Sequence, residues 1–186
     1  MPAELHPTGW VGQRTVSFIE DAAESDQPWM LFSSYIHPHP PFAPPNPWHK
    51  LYRAPLMPLP KVPPDNDALL LHINRVQNRY KYRDQGIDRN LMRNMRAYYY
   101  ACVSFIDYQV GRILAALEDA GQLDDTLIVY TSDHGEYLGD YESFGKRGMH
   151  DSAVRIPLIC RMPGRFEPGR IVDEPASNVD VAPTVL

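Results

Sequence analysis

The sequence has few cysteines, no long apolar run and no long basic run, and each lack excludes a class of protein. Two cysteines in 186 residues cannot build a disulfide framework or a cysteine-rich metal site. No apolar stretch approaches the about 18–20 residues that a membrane helix needs. A net charge of −5 without a basic run argues against nucleic acid as a partner. The first residues also lack the basic and apolar regions of a secretion signal, and the localisation stays open.

Proline, in contrast, is abundant, with 19 residues in the chain. The prolines cluster in a segment that runs from about 37 to 64. Because proline fixes φ and removes a backbone donor, it excludes regular helix or strand there. The cluster predicts a long, stiff and structured loop.

Hydrophobic periodicity outside that loop predicts strands separated by helices. The predicted helices are Thr15–Ala23 and about 88–120, and the predicted strands are Pro28–Ile36, Leu127–Thr131, Val154–Cys160 and, shorter, Ile171–Asp173. This order favours an α/β fold with a mostly parallel sheet sandwiched by helices. Ligands of such sheets bind beyond the carboxyl ends of the strands, where polar residues follow Ile36 and Thr131.

Asp133 and His134 directly follow the predicted strand that ends at Thr131. Where the backbone turns, a carboxylate and an imidazole can converge on one cation, and we expect Gly135 to ease that turn through a positive φ. Two ligands are too few, since calcium takes about six or more oxygens and zinc about four ligands. The alternative is local: Asp133 caps the turn, and His134 hydrogen-bonds nearby.

Two further segments carry groups suited to an anionic ester. Lys146 follows Gly145, and its ammonium can neutralise a sulfuryl or phosphoryl oxygen, although an exposed Lys146–Arg147 pair is the plainer interpretation. His39 lies between two prolines, whose stiffness suits a general acid. His37 and His39 could instead form a transition-metal pair, or simply belong to a proline-rich turn.

Taken together and in order, these motifs resemble the sulfatase family of the alkaline phosphatase superfamily. The branch that looks most similar hydrolyses phosphonate and aryl sulfate esters, since it too has Asp-His where other members have Asp-Asn. The resemblance covers nearly the whole chain, through the segments His37–Pro45, Tyr99–Arg112, Asp133–Glu136, Gly145–Arg147, Val154–Gly164 and Ser177–Pro183.

The resemblance implies an alkaline-phosphatase-like fold and a hydrolase of sulfuric esters. Asp133 and His134 would bind a divalent cation, most often calcium and in some branches manganese or zinc. Lys146 would hold the sulfate or phosphate oxygens, and His39 would bind or protonate the leaving-group oxygen. The substrate would be a small-molecule or glycan sulfate ester. The resemblance says nothing about the oligomeric state.

The nucleophile motif of that family, Cys/Ser-x-Pro-x-Arg with its formylglycine, is absent from the 186 residues, as are the first-strand aspartates that complete the metal shell. Cys102 and Cys160 are better interpreted as core residues. We therefore expect residues 1–186 to be part of a sulfatase catalytic domain, incomplete at the N-terminus and at the C-terminus and inactive alone. Two alternatives remain: a phosphonate monoester or phosphodiester hydrolase on the same scaffold, and a non-catalytic remnant that serves as a binding or structural module.

Overall fold

The structure is a computed structural model that describes residues 1–82 and 88–186. The chain divides into two compact units, the first formed by Met1–Leu59 and Ile87–Leu123 and the second by Pro60–Gly86 and Asp124–Leu186. Its α-helices are α1 (Pro7–Ala23), α2 (Asn66–Leu69), α3 (His72–Gln77), α4 (Arg89–Asp119), α5 (Asp151–Val154) and α6 (Val181–Val185). The strands are β1 (Ile128–Thr131) and β2 (Leu158–Arg161), and a π-helix covers Asn78–Tyr82. Short 3-10 helices cover Ala3–Leu5, Trp48–Lys50, Ala54–Leu56, Asp140–Glu142 and Asn178–Asp180.

Helix α4 confirms the longest predicted helix and ends as the sequence indicates. Asp88 caps its start, since Oδ1 accepts hydrogen bonds from the backbone of Asn90 and Leu91 at 2.9 and 3.0 Å. Gly121 ends it with a φ of 68°, a left-handed conformation that glycine adopts at little cost. Helix α1 is longer than the predicted Thr15–Ala23, because it begins at Pro7.

The core of the first unit lies between α1 and α4. Ile19 and Phe105 are each 1% exposed there. Gly12 lets the helices approach, because a Cβ on it would lie less than 3.0 Å from the side chain of Gln109. The proline-rich loop packs against α4 through aromatic side chains, with Trp48 5.3 Å from the ring centre of Phe105. Within this unit the loop is therefore structured.

The sheet corrects the prediction of a mostly parallel arrangement. Among the described residues, β1 and β2 form a single two-stranded sheet, and they pair antiparallel, with Ile128 opposite Arg161 and Thr131 opposite Leu158. A parallel pair needs a long crossover, usually a helix that lies across the sheet. The connection between these strands contains only the short α5 and one 3-10 turn, so the chain returns alongside β1 in the opposite direction.

Two predicted strands are not strands in this structure. Pro28–Ile36 has no regular secondary structure, and it pairs with no strand in the described parts of the chain. Its side chains contact α1 and the residues after α4, through a 2.7 Å hydrogen bond between Ser33 and Thr15 and a 3.3 Å hydrogen bond from Trp29 to Gln122. Ile171–Asp173 has no regular structure. Within residues 1–82 and 88–186, no helix combines the length and the apolar character that crossing a membrane requires.

Candidate functional site

Asp133 and His134 lie just beyond β1, and their side chains meet. Asp133 Oδ2 is 3.3 Å from His134 Nε2, with 83% of the Asp133 side chain and 29% of the His134 side chain exposed. The backbone N–H of His134 donates to Asp133 Oδ1 at 3.0 Å. The carboxylate is therefore turned back over the imidazole that follows it.

The other ring nitrogen of His134 determines what Nε2 can offer. Nδ1 lies 2.8 Å from the carbonyl oxygen of Gly135, and a carbonyl can only accept a hydrogen bond, so Nδ1 carries a proton. In the neutral imidazole, Nε2 then presents a lone pair toward the Asp133 carboxylate. A carboxylate oxygen and an imidazole nitrogen 3.3 Å apart are both donor types that divalent cations accept. The described residues contain no group of three or more His, Cys, Asp or Glu side chains that could hold a metal, and two ligands are fewer than calcium or zinc takes.

The turn before this pair is held by a residue to which the sequence analysis assigned no role. Asn178 Nδ2 donates to the carbonyl of Ser132 at 2.9 Å, and its Oδ1 accepts from Thr131 Oγ1 at 3.0 Å. Ser132 Oγ donates in turn to the carbonyl of His134 at 2.8 Å. The contacts of Asn178 join positions 46 and 47 residues apart, a separation that no local pattern reveals.

Gly135 serves the turn for a different reason from the one predicted. It is not among the glycines with positive φ. Its N–H donates to the carbonyl of Ala153 at 2.8 Å, and a Cβ at this position would lie less than 3.0 Å from the carbonyl oxygen of Ser152. Gly135 is required because another stretch of backbone passes too close for a side chain.

Lys146 follows in the same unit, on a loop that folds back onto Glu136. Gly145 has a φ of 80°, and its N–H donates to Glu136 Oε1 at 2.6 Å. The side chain of Lys146 is half-buried, close enough to Glu136 to influence its carboxyl electrostatically. Among residues 1–82 and 88–186, the Lys146 ammonium has no hydrogen bond or salt bridge, so this cation is available for an external anion.

Glu136 is a residue of this site that the analysis of the sequence did not select. Burial raises the pKa of its carboxyl, and the backbone hydrogen bonds from Gly145 and Leu138, followed by the charge of Lys146, offset part of that rise. The only sequence signal was its place in the Asp-His-Gly-Glu run. Its partner lies nine residues away, beyond the reach of helix or strand periodicity.

His39 belongs to the first unit and is described there by itself. Its ring is exposed, with Nδ1 2.8 Å from the carbonyl of Pro40. That carbonyl requires a proton on Nδ1, and Nε2 is left as the nitrogen that can meet a substrate. This geometry is compatible with the general-acid prediction.

His37 has a different environment, with its Nδ1 3.2 Å from Thr8 Oγ1 and its ring 4.6 Å from that of His6. Burial, followed by the neighbouring His6, lowers the pKa of His37. The two predicted histidines thus have separate partners, and His37 has the contacts of a structural residue.

The two cysteines offer no substitute nucleophile. Cys102 is 1% exposed in the middle of α4, which confirms it as a core residue. Burial raises the pKa of its thiol to about 11, and a protonated, buried thiol is a poor nucleophile. Cys160 lies in β2 opposite Val129 and is partly exposed, so it is less buried than predicted.

Comparison with known proteins gives a consistent set of relatives. Residues 11–186 match the family model described as Sulfatase. The multifunctional alkaline phosphatase superfamily protein PehA of Trinickia caryophylli is 34% identical over 199 residues, which cover 100% of this chain and 38% of that protein. An arylsulfatase of Clostridium perfringens is 30% identical over 190 residues, with 98% of this chain and 38% of that protein covered.

Among solved structures, the phosphonate monoester hydrolase SpPMH from Silicibacter pomeroyi superposes with a TM-score of 0.88 at 33% identity. The superposition covers 100% of this chain and 38% of that one. This structural similarity supports an alkaline-phosphatase-like fold. The chain spans less than half of the length of each of these relatives.

Proposed function

Because this chain belongs to the sulfatase family, within the alkaline phosphatase superfamily, we propose that the gene product containing it hydrolyses sulfuric esters with the help of a divalent cation. The observation that carries the proposal is the 3.3 Å approach of Asp133 Oδ2 and His134 Nε2 beyond β1. Lys146 follows on the same unit with an ammonium available for an anion. The family is one of hydrolases, as its sulfatase relatives show.

Asp133 and His134 would hold the cation, with calcium as the first candidate and manganese or zinc as alternatives. A carboxylate suits all three ions, whereas an imidazole favours the transition metals. When bound, the cation supplies positive charge to a non-bridging oxygen of the ester. The hydrogen bond from Nδ1 to Gly135 orients the ring and sets its tautomer, as is usual for histidines that bind metals.

Lys146 would place a second positive charge at the ester group. Cleavage of a sulfate ester redistributes negative charge among the non-bridging and leaving-group oxygens, and a fixed ammonium stabilises it. Lysine acts here as a point charge, without the two-pronged geometry of arginine. The preceding Gly145 allows the loop to approach the substrate closely.

His39 would assist the leaving group. With Nδ1–H donated to Pro40, the imidazolium form can give the proton on Nε2 to the departing alkoxide oxygen. The backbone N–H of His39 also donates to the carbonyl of Ile36 at 3.0 Å. The ring therefore projects from a hydrogen-bonded turn, which limits the conformations that it can adopt.

We propose further that residues 1–186 alone do not turn over substrate. They contain no Cys/Ser-x-Pro-x-Arg nucleophile motif, and Asp133 and His134 are too few ligands for a tight metal site. Turnover would need an attacking group and further metal ligands in addition to these residues. Turnover by the isolated chain that disappears in Lys146→Ala would contradict this part of the proposal.

A phosphonate monoester or phosphodiester is the second candidate substrate. The similarity to SpPMH over the whole chain specifically favours it. A cation, a lysine and a histidine stabilise a phosphoryl centre as well as a sulfuryl centre, because both carry charge on non-bridging oxygens. The protein can serve both ester classes with the same residues.

The test compares an aryl sulfate, an aryl phosphonate monoester and an aryl phosphodiester with the purified gene product. We expect aryl sulfate turnover that a chelator abolishes and that falls about 100- to 1,000-fold in Lys146→Ala, the usual cost of removing a charge-stabilising group. Lys61→Ala is the matched control, since Lys61 hydrogen-bonds to Asp140 and Tyr141 through its backbone.

Three results would contradict the proposal in different ways. Turnover of the phosphorus esters alone would transfer the function to the second candidate. Full activity of Lys146→Ala would remove the proposed role of that lysine. The absence of turnover on all three esters by the complete gene product would favour a non-catalytic remnant that serves as a binding or structural module.

A further inference from the structure

Two sets of hydrogen bonds, here called clasps, hold the loop that carries Lys146. Glu136 and Tyr137 form the first with Gly145, before the lysine, and Tyr137 forms the second with His150, after it. We propose that Glu136 and Tyr137 are positioning residues that hold Lys146 at the ester group. This inference rests on the proposed function of Lys146, and it assigns a purpose to three buried or half-buried polar groups, those of Glu136, Tyr137 and His150.

The first clasp holds both backbone groups of Gly145, the residue directly before the lysine. Its N–H donates to Glu136 Oε1 at 2.6 Å, and its carbonyl accepts from the N–H of Tyr137 at 2.9 Å. The same Oε1 accepts from the N–H of Leu138 at 3.3 Å. With both groups of Gly145 bonded, the position of the next Cα is set by Glu136 and Tyr137.

The second clasp lies beyond the lysine. Tyr137 Oη is 2.7 Å from His150 Nδ1, and His150 Nε2 is 2.8 Å from the carbonyl of Leu69. Because the carbonyl can only accept, Nε2 carries the proton of the neutral ring, and the tyrosine hydroxyl donates to Nδ1. Tyr137 is 1% exposed, and the ring of Tyr141 stacks on His150 at 4.4 Å.

The hydroxyl of Tyr137 also fills the space beside Gly148. A Cβ on Gly148 would lie less than 3.0 Å from that hydroxyl. The chain from Gly145 to His150 is thus held at its start by a carboxylate and at its end by a hydroxyl–imidazole pair. The lysine side chain between the two clasps remains without a hydrogen bond or salt bridge among the described residues.

Holding the Lys146 loop in one position affects catalysis, because the stabilisation that an ammonium gives to the ester group depends on where the ammonium lies. A displacement of about 1 Å can cost about 100-fold in rate, and a preorganised ammonium avoids reorganisation during the reaction. In the first clasp the Glu136 carboxylate accepts hydrogen bonds, and in the second the Tyr137 hydroxyl donates one. A glutamine at position 136 keeps a carbonyl oxygen that can accept both N–H groups, whereas an alanine keeps none.

The experiment measures kcat and KM for aryl sulfate hydrolysis by the gene product carrying Glu136→Ala, Glu136→Gln, Tyr137→Phe and Lys146→Ala, with Glu136→Ala also combined with Lys146→Ala. We expect Glu136→Ala to lose about 10- to 100-fold in kcat, Glu136→Gln to recover most of that loss, and Tyr137→Phe to lose a smaller factor. Glu136→Ala should add little to Lys146→Ala, because residues that act through one another are not additive.

A second readout does not depend on turnover. Hydrogen–deuterium exchange of the gene product should show faster exchange at the amides of Gly145 and Leu138 in Glu136→Ala, with Glu136→Gln close to the unchanged protein. Circular dichroism melting identifies a variant that has lost its fold, and in that case Tyr137→Phe, which removes only one hydroxyl, carries the test.

The possible results distinguish a failure of the positioning role from a failure of the proposed function of Lys146. If Lys146→Ala loses activity but Glu136→Ala keeps full kcat, or if its loss simply multiplies that of Lys146→Ala, the positioning role is wrong and the proposed function stands. Unchanged exchange at Gly145 in Glu136→Ala also overturns the inference. If Lys146→Ala keeps full activity, the proposed function of the lysine is wrong, and the positioning role fails with it.

Discussion

Replacement of Gly135 by alanine tests whether the turn after the Asp133–His134 pair is set by backbone crowding. In the structure, a Cβ at this position would lie less than 3.0 Å from the Ser152 carbonyl oxygen and 3.3 Å from the Cα of Ala153. Both neighbours are backbone atoms, so no side chain can rotate away to make room. One of the two chain segments must move.

The expected cost follows from two contributions. Overpacking in a tight site costs about 1–3 kcal/mol, and a shift that breaks the 2.8 Å hydrogen bond from Gly135 to Ala153 removes about 1 kcal/mol more. We therefore expect Gly135→Ala to lower the free energy of unfolding by about 2–4 kcal/mol. With a urea dependence of about 2 kcal/mol per molar, the middle of the usual range, the midpoint of unfolding should fall by about 1–2 M.

The assay is urea unfolding of the 186-residue chain followed by circular dichroism. Gly111→Ala is the matched control, because no atom lies within 4 Å of a Cβ at that helical position. Alanine has a higher helix propensity than glycine, so this control should be neutral or slightly stabilising. Equal stability of Gly135→Ala and the unchanged chain would refute the crowding argument.

The remaining predictions concern the titration of two histidines and the reactivity of the two cysteines. Burial lowers the pKa of His6 and of His37 below the ordinary 6.5, so the unfolded chain binds more protons than the folded one just below pH 6.5. Stability should be complete above pH 6.5 and fall as the pH decreases through the lowered values; a urea midpoint that does not change between pH 7.5 and 5.5 would contradict this. In an Ellman titration of the native chain, Cys160 should react, and Cys102 should react only after urea unfolds the protein. The reason is that burial raises the pKa of the Cys102 thiol to about 11. Rapid reaction of both thiols would contradict the burial of Cys102 in α4.

The sequence predicted the features that depend on local pattern. The apolar spacing within α4 and the glycine after it determine where that helix lies, and both are visible in the residues themselves. The apolar run that ends at Thr131 predicts β1 for the same reason. The resemblance of the motifs to one family identified Asp133, His134 and Lys146 as candidates, and the structure places all three in one unit.

The features that the sequence did not predict depend on contacts between distant residues. The direction of β2 follows from the connection that precedes it, which contains no long helix. Pro28–Ile36 has a strand-like composition, but a strand also requires a partner for its backbone groups. Glu136 meets Gly145 across nine residues, and Tyr137 meets His150 across thirteen, separations at which no simple periodicity relates the two residues.

The central claim is that Asp133 and His134 share one cation, and a crystal structure of the complete gene product grown with manganese tests it most directly. The account predicts an anomalous peak bonded to both Asp133 Oδ2 and His134 Nε2, at about 2.0–2.6 Å from each. His134 Nδ1 should still donate to Gly135, and Asp133→Ala should remove the peak. Clear density with no anomalous peak between the two side chains, or a metal bonded to Nδ1 of His134 instead of Nε2, would contradict the account.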